Sequence, residues 1–185
     1  MKKRAFVFLA TGFETVEALA VVDVLRRGGI EVTTVSVMER TSAEPIVVSA
    51  QNIGVRADVW FDELIGDADL LFLPGGLPGA TNLQAHEGLC EMLKRQDARE
   101  GLVSAICAAP SVLGACGILQ GRRATCYPGW ESRLPGAIYT AAAVERDGHV
   151  LTGCGMGKSI DLGLALLEAL TDRENAEKVR KSIQF

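Results

Sequence analysis

Apolar positions follow two patterns along this chain, short unbroken runs and longer stretches with helical spacing. Unbroken apolar runs are typical of strands that are buried on both faces. They cover residues 5–9, 70–73 and 102–106, and a further strand is predicted over residues 30–37. Apolar residues at helical spacing predict helices over residues 14–27, 87–99, 111–116, 159–170 and 173–182. Buried strands therefore alternate with helices.

The order of these elements predicts a parallel sheet. A strand, a helix and a second strand open the chain, and such units form parallel strand pairs with a right-handed crossover. Shorter strands, including one hairpin, are predicted over residues 46–49, 54–58, 123–126, 142–146 and 149–153. We expect a single domain over residues 1–185 with a doubly wound α/β fold, in which helices cover both faces of a mostly parallel sheet.

Composition and charge limit the classes of molecule that this domain is expected to bind. The chain has a net charge of −4 and no basic stripe along its length. This excludes nucleic acid as an electrostatically driven partner and a polybasic contact with membranes. Small molecules and a second copy of the chain remain as partners. The apolar run over residues 5–10 is too short for a signal peptide, so we expect a cytoplasmic location.

The five cysteines are scattered through the sequence. They are Cys90, Cys107, Cys116, Cys126 and Cys154. Their odd number and the lack of a C-x-x-C pair argue against a zinc site and against the disulfide framework of a secreted protein. We therefore expect no bound metal and a reducing compartment.

Cys107 stands where a predicted strand passes directly into a helix. It follows the apolar run 102–106, and Ala108, Ala109 and Pro110 come next. A thiol in this position lies near a helix N-terminus, which favours the thiolate, and it is the sulfur counterpart of the serine nucleophile elbow. The alternative is a cysteine that only packs, since free cysteines are among the most buried residues.

Two other turns are expected beside Cys107, because the carboxyl ends of parallel strands meet at one edge of the sheet, where ligands bind. One turn follows the first strand and leads to Glu17, and the other contains Gly75 and Gly76. The backbone N–H groups of these glycines, together with that of Ala108, are suited to hold an oxyanion.

Glu17 is the predicted partner of the thiol. It lies one helical turn after Glu14, so the two carboxyl groups share a helix face. Burial among Val16, Ala18 and Leu19 would raise the pKa of Glu17 and keep it protonated, and a protonated carboxyl can donate a hydrogen bond to a thiolate. An ionised carboxyl would instead repel the thiolate. Two solvated glutamates in a first helical turn are the alternative.

The remaining signatures favour a site without a cofactor. A dinucleotide fold needs G-x-G-x-x-G after the first strand, where only Gly12 is present. The segment Gly157-Lys158-Ser159 lacks the first glycine of a phosphate loop, so neither NAD nor ATP is expected. The sequence has two histidines, His86 and His149. We expect both at solvent-exposed positions, and neither as a base beside the cysteine.

Several motifs occur together from one end of the chain to the other. They lie at residues 12–17, 22–30, 73–76, 79–80, 105–110 and 155–159. Jointly they resemble the ThiJ/PfpI superfamily, and within it the parkinsonism-associated deglycase branch, whose members are also described as cofactor-independent glyoxalases. The resemblance implies a flavodoxin-like fold and a homodimer with the first helix at its interface. It also implies Cys107 as the reactive cysteine, Glu17 as its protonated partner, and the N–H groups of Gly76 and Ala108 as oxyanion donors.

Three positions depart from that family pattern. Tyr127 precedes Pro128 where the branch often has a histidine, Gln51 stands where relatives tend to carry an arginine, and Met156 interrupts an expected Gly-Pro-Gly. The hydroxyl of Tyr127 can donate a hydrogen bond to a substrate, although an ordinary pKa of about 10 makes it a poor base at neutral pH. We therefore expect Tyr127 to bind substrate rather than to transfer protons.

Two functional hypotheses use the same thiol. In the first, Cys107 attacks small α-oxoaldehydes, converting methylglyoxal to lactate, or attacks their early glycation adducts. In the second, the protein senses or protects against oxidative stress without significant turnover, and Cys107 is oxidised to a sulfinate. Cys126 or Cys154 would then be able to resolve an intermediate as a disulfide. A packing cysteine in a binding protein of unknown ligand is the third hypothesis.

Overall fold

The computed structural model describes residues 2–185 and places their strands in one central sheet and two small ones. The strands are β1 (Arg4–Leu9), β2 (Glu31–Ser36), β3 (Ile46–Val48), β4 (Gly54–Arg56), β5 (Val59–Trp60), β6 (Leu70–Leu73), β7 (Leu102–Ile106), β8 (Arg123–Ala124), β9 (Ile138–Tyr139), β10 (Val144–Asp147) and β11 (Val150–Gly153). The helices are α1 (Thr15–Arg27), α2 (Gly79–Ala85), α3 (Glu87–Ala98), α4 (Pro110–Ala115), α5 (Ser159–Leu170) and α6 (Arg173–Ser182). Every predicted strand and helix is present, with ends within two residues of those predicted.

The central sheet has the strand order β10-β11-β7-β6-β1-β2-β5. Neighbouring strands run parallel except for β10 and β11, which form the predicted antiparallel hairpin. Helices cover both faces of this sheet. The predicted flavodoxin-like, doubly wound α/β fold is confirmed.

Strand β1 shows why the buried strands read as unbroken apolar runs. Ala5, Val7 and Leu9 pack on one face of the sheet with α1, α5 and α6. Phe6 and Phe8 pack on the other face with α2, α3 and α4. Successive side chains of a strand point to opposite faces, so a strand covered on both sides needs apolar residues at every position.

Helix α5 fixes α1 against the sheet. Gly163 of α5 lets the two helices approach closely, because a Cβ at that position would lie 3.2 Å from the Cβ of Val24 in α1. The apolar face of α5 is buried in the same core cluster. Among residues 2–185, no helix is both long and apolar enough to cross a lipid bilayer.

The strand predicted over residues 123–126 is shorter than expected and lies outside the central sheet. Strand β8 pairs in parallel with β9, and beyond it the N–H of Thr125 donates to the hydroxyl oxygen of Thr152 at 2.9 Å rather than to a neighbouring strand. The β3–β4 hairpin also stands apart from the central sheet. The sequence pattern did not predict α2, β5 or β9, because each is too short to show a period.

Candidate active site

The carboxyl ends of the adjacent parallel strands β1, β6 and β7 bring three turns together, as predicted. Glycine makes the close approach feasible. A Cβ on Gly76, which has a φ of +86°, would lie 2.5 Å from the carbonyl oxygen of Gly12. A Cβ on Gly75 would lie 2.7 Å both from the Cβ of Cys107 and from Oε2 of Glu17. The side chains of Glu17 and Cys107 therefore meet at this edge of the sheet.

The backbone of Cys107 has the geometry expected of a nucleophile elbow. Its φ of +63° lies in the left-handed region, which non-glycine residues rarely adopt without compensation from their surroundings. Two backbone hydrogen bonds hold it there. The N–H of Cys107 donates to the carbonyl oxygen of Gly153, and its own carbonyl oxygen accepts from the N–H of Tyr127, both at 2.9 Å. The half-buried thiol is thus fixed at the end of β7.

Glu17 reaches the site from the first turn of α1 and is fully buried. Its Oε2 accepts the N–H of Gly75 at 2.8 Å, and the thiol of Cys107 lies within hydrogen-bonding reach of the carboxyl. Among residues 2–185, no group makes a well-formed hydrogen bond to Oε1. Burial raises the pKa of Glu17 to about 7, although the thiol and the N–H of Gly75 favour the carboxylate. The carboxyl can therefore hold its proton near neutral pH.

The thiol of Cys107 does not ionise easily while Glu17 is charged. Burial and the neighbouring carboxylate raise the pKa of Cys107 to about 12, and the N–H groups of Ala108 and Gly76 oppose that shift only in part. The N–H of Ala108 at the start of the α4 turn favours the thiolate, as predicted, but desolvation and the charged Glu17 have the larger effect. A protonated Glu17 removes the repulsion, so the two groups compete for one negative charge.

The predicted oxyanion donors fall into two sets. The backbone N–H groups of Gly76 and Ala108 lie close enough to the sulfur of Cys107 to stabilise negative charge on it. The N–H of Gly75 instead donates to Glu17. The prediction of Gly75 as an oxyanion or substrate donor is therefore wrong in this structure, because its single N–H is already used to orient the carboxyl.

Gln51, in the β3–β4 hairpin, makes hydrogen bonds to the start of α1, a contact that the sequence did not predict. Its Oε1 accepts from the N–H and the hydroxyl of Thr15, at 3.2 and 2.7 Å, and its Nε2 donates to Glu14 at 2.6 Å. The residue before α1, Glu14, makes no capping hydrogen bond of its own. Gln51 therefore satisfies an N–H at the open end of the helix that carries Glu17.

Tyr127 reaches the site mainly through its backbone. Its N–H holds the carbonyl oxygen of Cys107, whereas its side chain is 51% exposed and lies beside Gly155. The role of Tyr127 in binding substrate stays a prediction.

Both histidines have structural partners away from the site, so neither is a base beside the cysteine, as predicted, and both are partly rather than fully exposed. His86 caps α3, where its Nδ1 accepts the N–H of Leu89 at 3.0 Å, and its ring packs on Phe61. Nε2 of His149 lies 2.7 Å from Oδ1 of Asp97, with only 16% of the side chain exposed. In residues 2–185, no three His, Cys, Asp or Glu side chains converge as a metal-ligand cluster.

Burial of Glu17 predicts that the free energy of unfolding depends on pH. Its pKa is about 7 in the folded protein against 4.5 ordinarily, so the folded state binds the proton more tightly. The resulting stabilisation is fully present below pH 4.5 and is lost as the pH rises to about 7, with a magnitude of about 3 kcal/mol. Urea unfolding across this range should show the loss in the parent but not in a Glu17→Gln variant. Equal pH dependence of the two proteins would mean that folding does not raise the pKa of Glu17.

Comparison with known proteins identifies the family. The sequence model of the DJ-1/PfpI family matches residues 3–169. The Parkinson disease protein 7 homolog of Danio rerio is 38% identical over 183 residues, which cover 96% of this chain and 95% of that protein. The structure of oxidized Toxoplasma gondii DJ-1 superposes with a TM-score of 0.90 at 31% identity, covering 99% of this chain and 98% of that one.

A more distant match has the name of an enzyme. The isonitrile hydratase of Pseudomonas putida is 34% identical over 119 residues, which cover 63% of this chain and 52% of that protein. The family thus includes enzymes. With matches that extend over nearly the whole sequence, the chain belongs to the DJ-1/PfpI family.

Proposed function

We propose that this protein is a cofactor-independent glyoxalase or deglycase that acts on small α-oxoaldehydes or their early glycation adducts. The pairing of the Cys107 thiol with a buried Glu17 carboxyl, whose pKa is raised to about 7, is the observation that carries the proposal. Such a carboxyl can give up and take back a proton at neutral pH. Membership of a family that includes enzymes is consistent with turnover.

The first step is addition of sulfur to the aldehyde. The Cys107 thiolate forms a bond to the aldehyde carbon, and the carbonyl electron pair moves to the oxygen. The N–H groups of Gly76 and Ala108, which lie beside the sulfur, are positioned to stabilise that oxyanion. Protonation of the oxygen by Glu17 then gives a hemithioacetal and leaves Glu17 as a carboxylate.

The second step moves a hydrogen between the two carbons of the substrate. The Glu17 carboxylate removes the proton from the former aldehyde carbon and returns it to the neighbouring carbon, while the hydroxyl proton passes to the neighbouring oxygen. The product is a thioester of the 2-hydroxy acid on Cys107. Water cleaves the sulfur–carbon bond, so that methylglyoxal and water together become lactate.

The exposed groups around this site suit a small carbonyl substrate and a dimeric protein. The half-exposed phenol of Tyr127 can donate a hydrogen bond to the second carbonyl of the substrate. Val16 and Leu19 on α1 are 46% and 38% exposed, and Ile46 and Ile53 of the neighbouring excursion are also exposed. This apolar surface supports a homodimer with α1 at its interface.

Lactate formation tests the proposal directly. Purified protein is incubated with methylglyoxal in buffer free of glutathione, which removes the co-substrate of glutathione-dependent enzymes, and lactate is measured over time. We expect lactate to accumulate in proportion to the protein concentration, and heat-denatured protein to form none. Native protein that forms no more lactate than the denatured control would contradict the proposal.

Oxidation of Cys107 without turnover is the second candidate function. It is favoured by the backbone N–H groups beside the sulfur, which can stabilise sulfinate oxygens, and by the oxidized state described for Toxoplasma gondii DJ-1. Resolution by Cys126 is disfavoured, because that residue is only 1% exposed and its thiol donates to the carbonyl oxygen of Tyr127.

Mild peroxide should therefore add two oxygens selectively to Cys107. Peptide mass spectrometry after graded peroxide treatment measures this, with Cys154, which is also partly exposed, as the internal control. Selective oxidation at Cys107 combined with absence of lactate formation would favour a sensor over an enzyme. Equal oxidation at Cys107 and Cys154 would argue against the sensor.

A further inference from the structure

A second cleft lies at the carboxyl edge of the central sheet, on the other side of β1 from Cys107. The strand register pairs Leu9 with Ser36 and Ser36 with Trp60, so β1, β2 and β5 end level with one another. The candidate active site lies instead at the ends of β1, β6 and β7. The cleft has a volume of about 490 Å³, within the range of about 300 to 1,000 Å³ typical of small-molecule pockets. In open α/β sheets, this edge is where ligands bind.

Direct contacts join the walls of this cleft to one another. The N–H of Thr11, after β1, donates to Sδ of Met38, after β2, at 3.3 Å. Nδ2 of Asn82, in α2, donates to the carbonyl oxygen of Thr11 at 2.9 Å. His86, at the end of α2, packs its ring on that of Phe61, after β5, with the ring centroids 4.4 Å apart. The cleft is therefore bounded by elements that hold each other in place.

Apolar side chains supply part of the lining. They include Val37, Met38, Trp60 and Ala85. Val37 and Trp60 are buried in the surrounding structure, which fixes their positions. The thioether of Met38 is flexible and polarizable, so it adapts to ligands of different shape. This part of the lining suits an apolar or aromatic group, because such a group displaces water from beside these side chains.

The polar lining offers more hydrogen-bond acceptors than donors. Asn82 uses its Nδ2 on Thr11, which leaves the amide oxygen as an acceptor, and Glu39 adds a carboxylate. The ring of His86 supplies a donor, because its Nδ1 accepts the N–H of Leu89 at 3.0 Å and the ring proton is then on Nε2. A ligand that carries N–H donors therefore matches this lining best.

The charge of the lining favours a cation. Of the lining residues in the part of the chain that the structure describes, Glu39 alone carries a formal charge. The arginines on the neighbouring segments are engaged elsewhere, since Arg40 pairs with Glu63 at 2.9 Å and Arg56 pairs with Glu44 at 3.6 Å. A positively charged ligand therefore meets a carboxylate in this cleft without competition from these arginines.

We propose that this cleft is a second ligand site, which binds small organic cations that carry an ammonium or guanidinium group on an apolar body. The cationic group donates hydrogen bonds to Glu39 and Asn82, and the apolar body packs beside Met38 and Trp60. The site is separate from that of Cys107, and the proposal does not rest on the proposed function of that residue.

The test is a fluorescence titration with 2-phenylethylammonium, an aromatic body that carries one ammonium group. The chain has two tryptophans, so a Trp130→Phe variant leaves Trp60 as the reporter inside the cleft. We expect a saturable change in Trp60 fluorescence, and added salt should weaken binding. The neutral analogue 2-phenylethanol should bind about fivefold more weakly, and the anion 3-phenylpropionate more weakly still. Lack of a saturable change, or equal affinities for the amine and the alcohol, would overturn the proposal.

Further variants locate the ligand. Glu39→Gln should abolish the preference for the amine over the alcohol, whereas Glu44→Gln, which removes a nearby carboxylate outside the lining, should keep it. Cys107→Ser should leave the titration unchanged, and a weakened titration there would place the amine in the candidate active site and overturn the proposal. Thermal unfolding repeats the comparison without the Trp130→Phe change, and 2-phenylethylammonium should raise the Tm of the parent more than that of Glu39→Gln. Equal shifts in Tm would contradict the role of Glu39.

Discussion

A Cys107→Ala variant loses lactate formation from methylglyoxal, with kcat/KM lowered by about a thousandfold or more. Without sulfur at the end of β7, no bond forms to the aldehyde carbon. The remaining groups, the amides of Gly76 and Ala108 and the carboxyl of Glu17, then have no covalent intermediate to act on. Initial rates of lactate formation across a range of methylglyoxal concentrations measure the effect.

The matched control for this variant is Cys154→Ala, which removes another partly exposed thiol. It should retain activity close to that of the parent. A Cys107→Ala protein that is folded and forms lactate as fast as the parent would show that the activity does not use this thiol, or that it comes from a contaminating enzyme.

A Glu17→Gln variant should separate two contributions of the carboxyl, the transfer of protons and the presence of a neutral hydrogen-bond donor beside the sulfur. Glutamine is neutral, can accept the N–H of Gly75 through its oxygen and can offer an N–H toward the sulfur, but it cannot transfer protons. We expect lactate formation to fall by about 10² to 10⁴-fold, because proton transfer between the substrate carbons is lost. The rate of Cys107 alkylation by iodoacetamide should change by less than about tenfold, because a neutral donor still faces the sulfur.

Glu14→Gln is the control for this experiment, because Glu14 lies one turn earlier and binds Gln51 rather than the thiol. Its turnover should stay close to that of the parent. If Glu17→Gln instead accelerates alkylation strongly and keeps full turnover, Glu17 acts in the parent only as a carboxylate that repels the thiolate, and the proposed proton transfer is wrong.

The sequence predicted the features that depend on local pattern. The run 102–106 ends in Cys107 because a strand buried on both faces needs unbroken apolar residues, and the small residues after it permit an immediate turn into α4. The burial of Glu17 could be predicted as one of two outcomes for a glutamate on an apolar helix face. In both cases the relevant signal lay within one turn or one strand.

Features that depend on contacts between distant elements could not be predicted in this way. The N–H of Gly75 is taken by Glu17, 58 positions earlier, so the glycine does not serve as an oxyanion donor. His149 is shielded by its contact with Asp97, 52 positions away. Each requires knowledge of how the layers pack.

The measurement that tests the central claim most directly is a pH titration of the Cys107 thiol. The thiolate is detected by its ultraviolet absorbance, and the absorbance of a Cys107→Ser variant is subtracted from that of the parent at each pH. If Glu17 keeps its proton and the sulfur takes the single charge of the pair, the thiolate should form with a midpoint below the free-cysteine value of about 8.5. A midpoint near 12 would mean that Glu17 takes the charge first and would contradict a thiolate nucleophile at neutral pH.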